Sequence, residues 1–205
     1  MTINMALKRA RKAQRRKLQI AEKRKTEALE TRLGARVLRA AKRPIQHCLL
    51  HQSLFEIGMG TLVLARGATP HHLEVGVFLL DAFCLGIKDV MFTSVDDDTF
   101  DMYVAASESA APMAPVEPSY ARRLLRDLAD WSRSIGFAPH PDFAAVEPLF
   151  GDVDANASNA TFQFGREGKP VYIPGPDESL SVIERRVEHL RRTVGEDGFD
   201  LDSAA

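Results

Sequence analysis

Five side chains have the types and spacing that acid–base or metal chemistry needs, and Asp81 is the most unusual of them. Asp81 interrupts the apolar run 75–80. Burying an unpaired carboxylate is costly, so Asp81 must be paired, hydrated or metal-bound. If a turn lies near Gly86, Asp81 falls almost opposite Asp89, and two carboxylates there could hold a divalent cation, as in metal-dependent nucleases. No third ligand is identifiable, so we favour the alternative in which Asp81 accepts hydrogen bonds from the turn or pairs with Lys88.

A second group of candidates surrounds a proline-braced turn. His140 and Asp142 lie in the segment FAPHPD, and Asp152 and Asp154 follow further along the chain. One imidazole and three carboxylates suit a hard-cation site or an acid–base pair. The spacing matches no established metal signature, and helix capping by Asp142 with a turn at GDVD explains it more simply. The catalytic candidates are therefore Asp81, Asp89, His140, Asp142 and Asp152, and no metal or cofactor is predicted.

His47 and His51 are four residues apart, with Cys48 between them, in a segment predicted to be helical. On a helix the two imidazoles share a face, as zinc ligands can. Because the chain has no HExxH or CxxC motif, a surface or interface pair is the preferred interpretation. The chain also lacks the GxxxxGK[ST] phosphate loop and the GxSxG nucleophile elbow.

Positive charge is concentrated at the N-terminus. Residues 1–43 contain 15 of the 27 Lys and Arg residues and only three acidic residues, so this arm carries +12, whereas the rest of the chain carries −13. Its composition favours helix, and we expect a partly helical arm whose C-terminal part docks on the body. Fifteen cations without aromatic residues favour phosphate contacts with little sequence specificity. The predicted nucleic-acid-binding residues are Lys8, Arg9, Arg11, Lys12, Arg15, Arg16, Lys17, Lys23, Arg24 and Lys25.

The candidate residues must be positioned by helices and strands, and the predicted pattern of these elements indicates an α+β fold. We divide the chain into the arm, 1–43, and a single globular domain, 44–205, that has a small antiparallel or mixed sheet, packed helices and a loose acidic C-terminal tail. The predicted elements are a helix over 44–58, strands over 61–67, 71–83 and 87–95, a helix after the acidic run 96–98, a flexible linker over 107–118, helices from 119 and from 142, a β-hairpin over 161–175 and a helix over 181–194.

Three blocks carry a family resemblance. The segments FLLDAFCLGIKDVMF, IGFAPHPDFAAVEPLFGDVD and FGREGKPVYIPGP resemble parts of a family of uncharacterised bacterial proteins. The resemblance covers roughly half of the domain. It implies no activity, cofactor or catalytic residue.

Composition narrows the class of protein. Hydrophobic residues make up 45% of the 205, which is typical of a globular domain, and no apolar run is long enough to span a membrane. The start of the chain has no apolar signal core, so we expect a cytoplasmic protein. We do not expect membrane binding, because the arm lacks bulky apolar anchors such as Phe or Trp. The first hypothesis is a non-enzymatic protein associated with RNA, DNA or the ribosome through its arm. The alternatives are a metal-dependent hydrolase or nuclease, and a structural oligomer whose arms pack on acidic bodies. A protein partner is compatible with the first.

Overall fold

The computed structural model describes residues 32–69, 71–109 and 111–202, and its architecture is the predicted α+β. Helix α1 is described over residues 32–40. The other elements are β1 (Ile45–His51), α2 (Leu54–Ile57), β2 (Met59–Thr69), β3 (His72–Asp81), β4 (Gly86–Val95), α3 (Asp97–Glu108), β5 (Met113–Pro115), α4 (Pro118–Ser134), α5 (Phe143–Val146), β6 (Val171–Tyr172), α6 (Leu180–Val194) and β7 (Asp200–Leu201), with 3-10 turns at Glu147–Phe150 and Ala155–Ala157. Among these helices, none combines the length and apolarity that crossing a membrane requires.

Five strands form one antiparallel sheet in the order β4-β3-β2-β1-β5. Strands β2 and β3 are its long central pair, with Met59 opposite Asp81 at one end and Arg66 opposite Glu74 towards the other. Short connections favour such antiparallel neighbours. The predicted meander of three strands is therefore confirmed, and the sheet proper is antiparallel rather than mixed.

Helices cover both faces of this sheet. On one face α1, α4 and α5 pack over Leu62, Leu64 and Phe78. On the other face α3 packs through Phe100 over Val63 and Val75. Helices on both faces explain why β2 and β3 are nearly continuous apolar runs, since most side chains on either face of the central strands are covered.

The predicted helix over 44–58 is wrong, because residues 45–51 form strand β1 and only Leu54–Ile57 is helical. Side chains of β1 alternate between faces: Cys48 and Leu50 join the core beneath α4, whereas Leu49 packs towards α3. The strand pairs with β2 on one side and β5 on the other. Positions four apart share a face in both a helix and a strand, so the apolar pattern of so short a segment does not separate the two.

Two further segments differ from the prediction. The linker over 107–118 contains strand β5, which pairs with β1 through Met113, Ala114 and Pro115 at the edge of the sheet. An edge strand tolerates proline because one side of its backbone needs no partner.

Of the predicted β-hairpin over 161–175, only the turn at REGK forms, and its flanking segments do not pair with each other as strands. Only an isolated bridge joins Arg166 to Lys169, and β6 pairs in parallel with β7. The tail that we expected to be loose therefore contributes Asp200–Leu201 to a small second sheet. Helix α6 covers this region, where Leu190 packs with Tyr172 and Cys84.

The described part of the arm belongs to the hydrophobic core. Val37 and Ala40 of α1 are 0% and 2% exposed and lie in the same cluster as the residues beneath α4. This docking matches the expectation for the C-terminal part of the arm. The packed body thus begins before residue 44, where the sequence placed its start.

Candidate functional site

Asp81 lies at the end of β3 and is committed to the turn that follows. Its Oδ1 accepts hydrogen bonds from the backbone N–H of Phe83 (3.1 Å) and of Cys84 (2.8 Å). Burial raises the pKa of Asp81, while these N–H groups and the charge of Lys88 act in the opposite direction. The favoured alternative for Asp81, a carboxylate that organises the turn, is what the geometry supports.

Asp89, His140 and Asp142 lie together on the surface. Nε2 of His140 is 3.6 Å from Oδ1 of Asp89, and the backbone N–H of Asp142 donates to Nδ1 of His140 (3.3 Å). Asp89 is 67% exposed and also accepts from the N–H of Val90. Asp142 occupies the N-cap position of α5, but its side chain makes no capping hydrogen bond. The contacts fix the His140 ring without creating an enclosed acid–base pair.

The catalytic candidates do not converge on one site. Asp81 is buried behind its turn, the Asp89–His140 pair is exposed, and Asp152 lines a different cavity beside Arg66. Within the described part of the chain, no group of three or more His, Cys, Asp or Glu side chains is placed to hold a metal ion.

The histidines of β1 have structural partners. His47 stacks on Phe100 with ring centroids 4.7 Å apart. His51 is buried; its Nδ1 accepts from the N–H of Thr61 (3.1 Å), so its Nε2 donates to the carbonyl of Ser107 (3.1 Å). His47 and His51 thus help to pack β1 against α3, although their spacing resembles that of zinc ligands.

The predicted phosphate-contacting residues Lys8 to Lys25 lie outside the described residues. The described cations of the arm are Arg32, Arg36, Arg39, Lys42 and Arg43. Arg36 lies over the ring of Phe92, 5.1 Å from its centroid, and Arg39 and Lys42 are exposed. Helix α1 therefore buries one side in the core and presents basic residues elsewhere on its surface.

Sequence reasoning missed Arg66, a buried cation of strand β2 that is 4% exposed. Its Nη1 donates to the carbonyl of Arg43 and its Nη2 to the carbonyl of Phe150, both at 2.5 Å. Its Nε has no hydrogen-bond partner among the described residues. Burial lowers the pKa of Arg66, while Asp152 acts through space to raise it. The only signal in the sequence is an arginine within the apolar strand TLVLARG.

Arg66 lines an open cavity of about 550 Å³, here called the Arg66 pocket. The lining residues are Ala41, Lys42, Arg43, Pro44, Arg66, Gly151 and Asp152. Three of them are cations and one is a carboxylate, so the lining has an excess of positive charge, although Arg43 also pairs with Glu74 behind it (3.8 Å). It lies where the end of α1 meets the sheet and the loop after α5.

The wall of the Arg66 pocket is held by a second arginine. Arg122 of α4 donates to the carbonyls of Gly151 (2.9 Å) and Val153 (2.6 Å) and to both carboxylate oxygens of Glu147 (2.8 and 3.2 Å). Arg126 also donates to Glu147 (2.7 Å). Burial raises the pKa of Glu147, but the two arginines outweigh it and hold that pKa below its ordinary value. The network fixes the loop that carries Asp152.

A cleft of about 640 Å³ lies elsewhere and has a different character. It is lined by Phe55, Tyr120, Phe162 and Arg166 among other residues, and the rings of Phe55 and Phe162 are nearly parallel with centroids 6.0 Å apart. Glu56 and Glu167 also line it, so it lacks the positive excess of the Arg66 pocket.

In comparisons with known proteins, no family model, no curated protein and no solved structure matches the chain. The site is therefore interpreted from its own geometry and charge.

Proposed function

We propose that the protein associates with nucleic acid, as RNA, DNA or ribosome, and acts as a non-enzymatic binding protein whose basic arm contacts phosphates. The observation that carries the proposal is the charge asymmetry, +12 within residues 1–43 against −13 in the rest of the chain. A row of cations gains affinity for a polyanion by releasing its condensed counterions, whatever the base sequence.

The anchoring of α1 supports this proposal. Val37 and Ala40 are buried in the core, so the helix that carries Arg36 and Arg39 is anchored to the sheet. Arg39 and Lys42 are exposed on the same helix and the turn after it. A phosphate backbone that follows the arm would meet the body at the Arg66 pocket, where the charge is also positive.

The hypothesis of a metal-dependent hydrolase has less support than nucleic-acid binding, because its candidate residues occupy separate places in the fold. The structural oligomer, in which the arm pairs with an acidic body, differs from nucleic-acid binding in its response to salt. Screening weakens both kinds of contact, but only in the oligomer does it free the arm for another partner.

The proposal is tested by a salt titration of the full chain with short duplexes of unrelated sequence. We expect about five to eight phosphate contacts and a log–log slope of affinity against salt between about −5 and −7. Replacing Arg15, Arg16 and Lys17 together with Gln should weaken binding equally for all sequences and make the slope shallower by about 2 to 3.

The matched control replaces Arg185, Arg191 and Arg192 of α6 with Gln. All three are exposed, and the change removes the same net charge from the body. Binding that is flat or increases with salt would contradict the proposal, as would equal losses in the arm variant and the α6 variant.

A further inference from the structure

The Arg66 pocket contains a buried charge that its protein surroundings only partly compensate. The hydrogen bonds of Arg66 go to two neutral carbonyl oxygens, and its Nε has no partner among the described residues. Removing a guanidinium from water is costly unless an anion or a full set of hydrogen bonds replaces the solvent. Asp152 provides partial compensation through space, but it is exposed on the pocket wall.

The shape of the pocket depends on the glycine at position 151. Gly151 has φ +62°, and a Cβ added there would lie 2.8 Å from the carbonyl oxygen of Ala41 and 3.1 Å from Nη2 of Arg66. A side chain at this position would therefore clash with the backbone beside the guanidinium. The loop is held in place by the hydrogen bonds from Arg122 to Gly151 and Val153.

We propose that the Arg66 pocket is a phosphate-binding site, with the Arg66 guanidinium as its fixed positive floor and Lys42 and Arg43 as the side chains that contact the anion. A phosphate offers several oxygens and up to two negative charges, so it can compensate the three lining cations more fully than the single carboxylate of Asp152 does. The volume of about 550 Å³ admits inorganic phosphate or a phosphate ester. The site goes beyond the proposed function, because it is formed where the end of the arm meets β2 and the loop after α5 and uses none of the predicted nucleic-acid-binding residues Lys8 to Lys25.

The test measures the melting temperature of the full chain in phosphate and in chloride at matched pH and ionic strength. At a phosphate concentration tenfold above its Kd, we expect a rise of about 3–6 °C over chloride. The double variant Lys42→Gln with Arg43→Gln should lose this rise. It keeps the backbone carbonyl of Arg43 that Arg66 uses, so the fold is retained.

Asp152→Asn removes a negative charge from the pocket, whereas the double variant removes two positive charges. If Asp152 competes with the bound anion, its neutralisation should tighten phosphate binding several-fold. If Arg66 has only a structural role, the same variant should show no phosphate-dependent gain. The arm variant, Arg15, Arg16 and Lys17 to Gln, should keep the full phosphate effect, which separates this site from the proposed function.

The source of the phosphate is assigned with an oligonucleotide carrying or lacking a 5′-phosphate. Tighter binding of the phosphorylated form, lost in the Lys42–Arg43 double variant, assigns the site to a nucleic-acid end. Phosphate stabilisation that no oligonucleotide displaces assigns it to a small phosphate compound. Stabilisation by phosphate no greater than by chloride, or equal stabilisation in the double variant, would overturn the proposal.

Discussion

Two charged side chains are buried at opposite ends of the β2–β3 pair, and their surroundings differ. Asp81 lies opposite Met59, and Arg66 is seven residues further along β2, which at about 3.3 Å per residue corresponds to about 23 Å. Asp81 accepts hydrogen bonds from residues two and three positions away in its own turn. Arg66 donates to carbonyls 23 and 84 residues away.

The difference shows how each charge is used. The Asp81 carboxylate is bound by its own turn and stabilises local backbone. Arg66 ties together the end of α1, strand β2 and the loop after α5, and it borders an open cavity with two other cations. Of the two buried charges, Arg66 is therefore the one placed to act on something outside the protein.

The largest expected effect comes from removing the Arg66 charge. Arg66→Leu leaves the buried carbonyl acceptors of Arg43 and Phe150 without their donor, so we expect a loss of about 3 kcal/mol in the free energy of unfolding. Urea denaturation measures this loss. Arg43→Gln is the matched control, because it keeps the carbonyl and should cost less than about 1 kcal/mol. Equal stability of Arg66→Leu and the wild type would remove the distinction drawn between the two buried charges.

A smaller effect is expected from Glu147→Gln, which weakens the support of the pocket wall. We expect a loss of about 2 kcal/mol at neutral pH, less than the ~3–5 kcal/mol typical of a fully buried pair, because Arg122 keeps its two carbonyl acceptors. The pKa of Glu147 is lowered in the folded protein, so its contribution is present above the ordinary glutamate pKa and is lost as pH falls through the folded value.

The difference between wild type and Glu147→Gln should therefore shrink as pH decreases below about 4. Urea denaturation at neutral pH and near pH 3 checks this. A difference that stays constant or grows in acid would show that the carboxylate charge is not what holds Arg122 and Arg126.

The smallest effect is expected from Asp81→Asn, which keeps an acceptor for the turn and removes the buried charge. The pKa of Asp81 is raised by burial, so the stability that its protonated form provides is lost as pH increases through the folded pKa. The Asn variant should be within about 1 kcal/mol of the wild type and should gain relative to it as pH rises above about 4.

Asp81→Ala removes the acceptor as well and is the paired variant. It should be about 1–2 kcal/mol less stable than the Asn variant at any pH, because the N–H groups of Phe83 and Cys84 are then left without their partner. Addition of Mg²⁺ or Mn²⁺ should stabilise neither the wild type nor the variants. A metal-dependent gain seen only in the wild type would reinstate Asp81 as a ligand.

Part of the candidate site could be predicted from the sequence. The apolar setting of Asp81 in the run 75–80 implied a specific partner, and the turn at Gly86 supplied one nearby in the chain. The excess of cations before residue 44 also needed no structure, since charge depends on composition alone. The Arg66 pocket could not be predicted, because it requires three segments that are distant in sequence to meet.

The sequence by itself determined the parts of the fold with local periodicity. The meander of β2, β3 and β4 followed from long apolar runs and short turns. The helix predicted from residue 119 is α4, in which Leu124, Leu125 and Leu128 are buried at helical spacing. Each of these segments carries enough repeats of its pattern to select one type of structure.

Only the tertiary structure decided β1, β5 and the pairing of β6 with β7. These segments have two to seven residues, too few for a period to be read, and each becomes a strand because a partner supplies its backbone hydrogen bonds. The same reason applies to Arg66. Its role depends on carbonyls 23 and 84 residues away, and no local pattern encodes contacts at that separation.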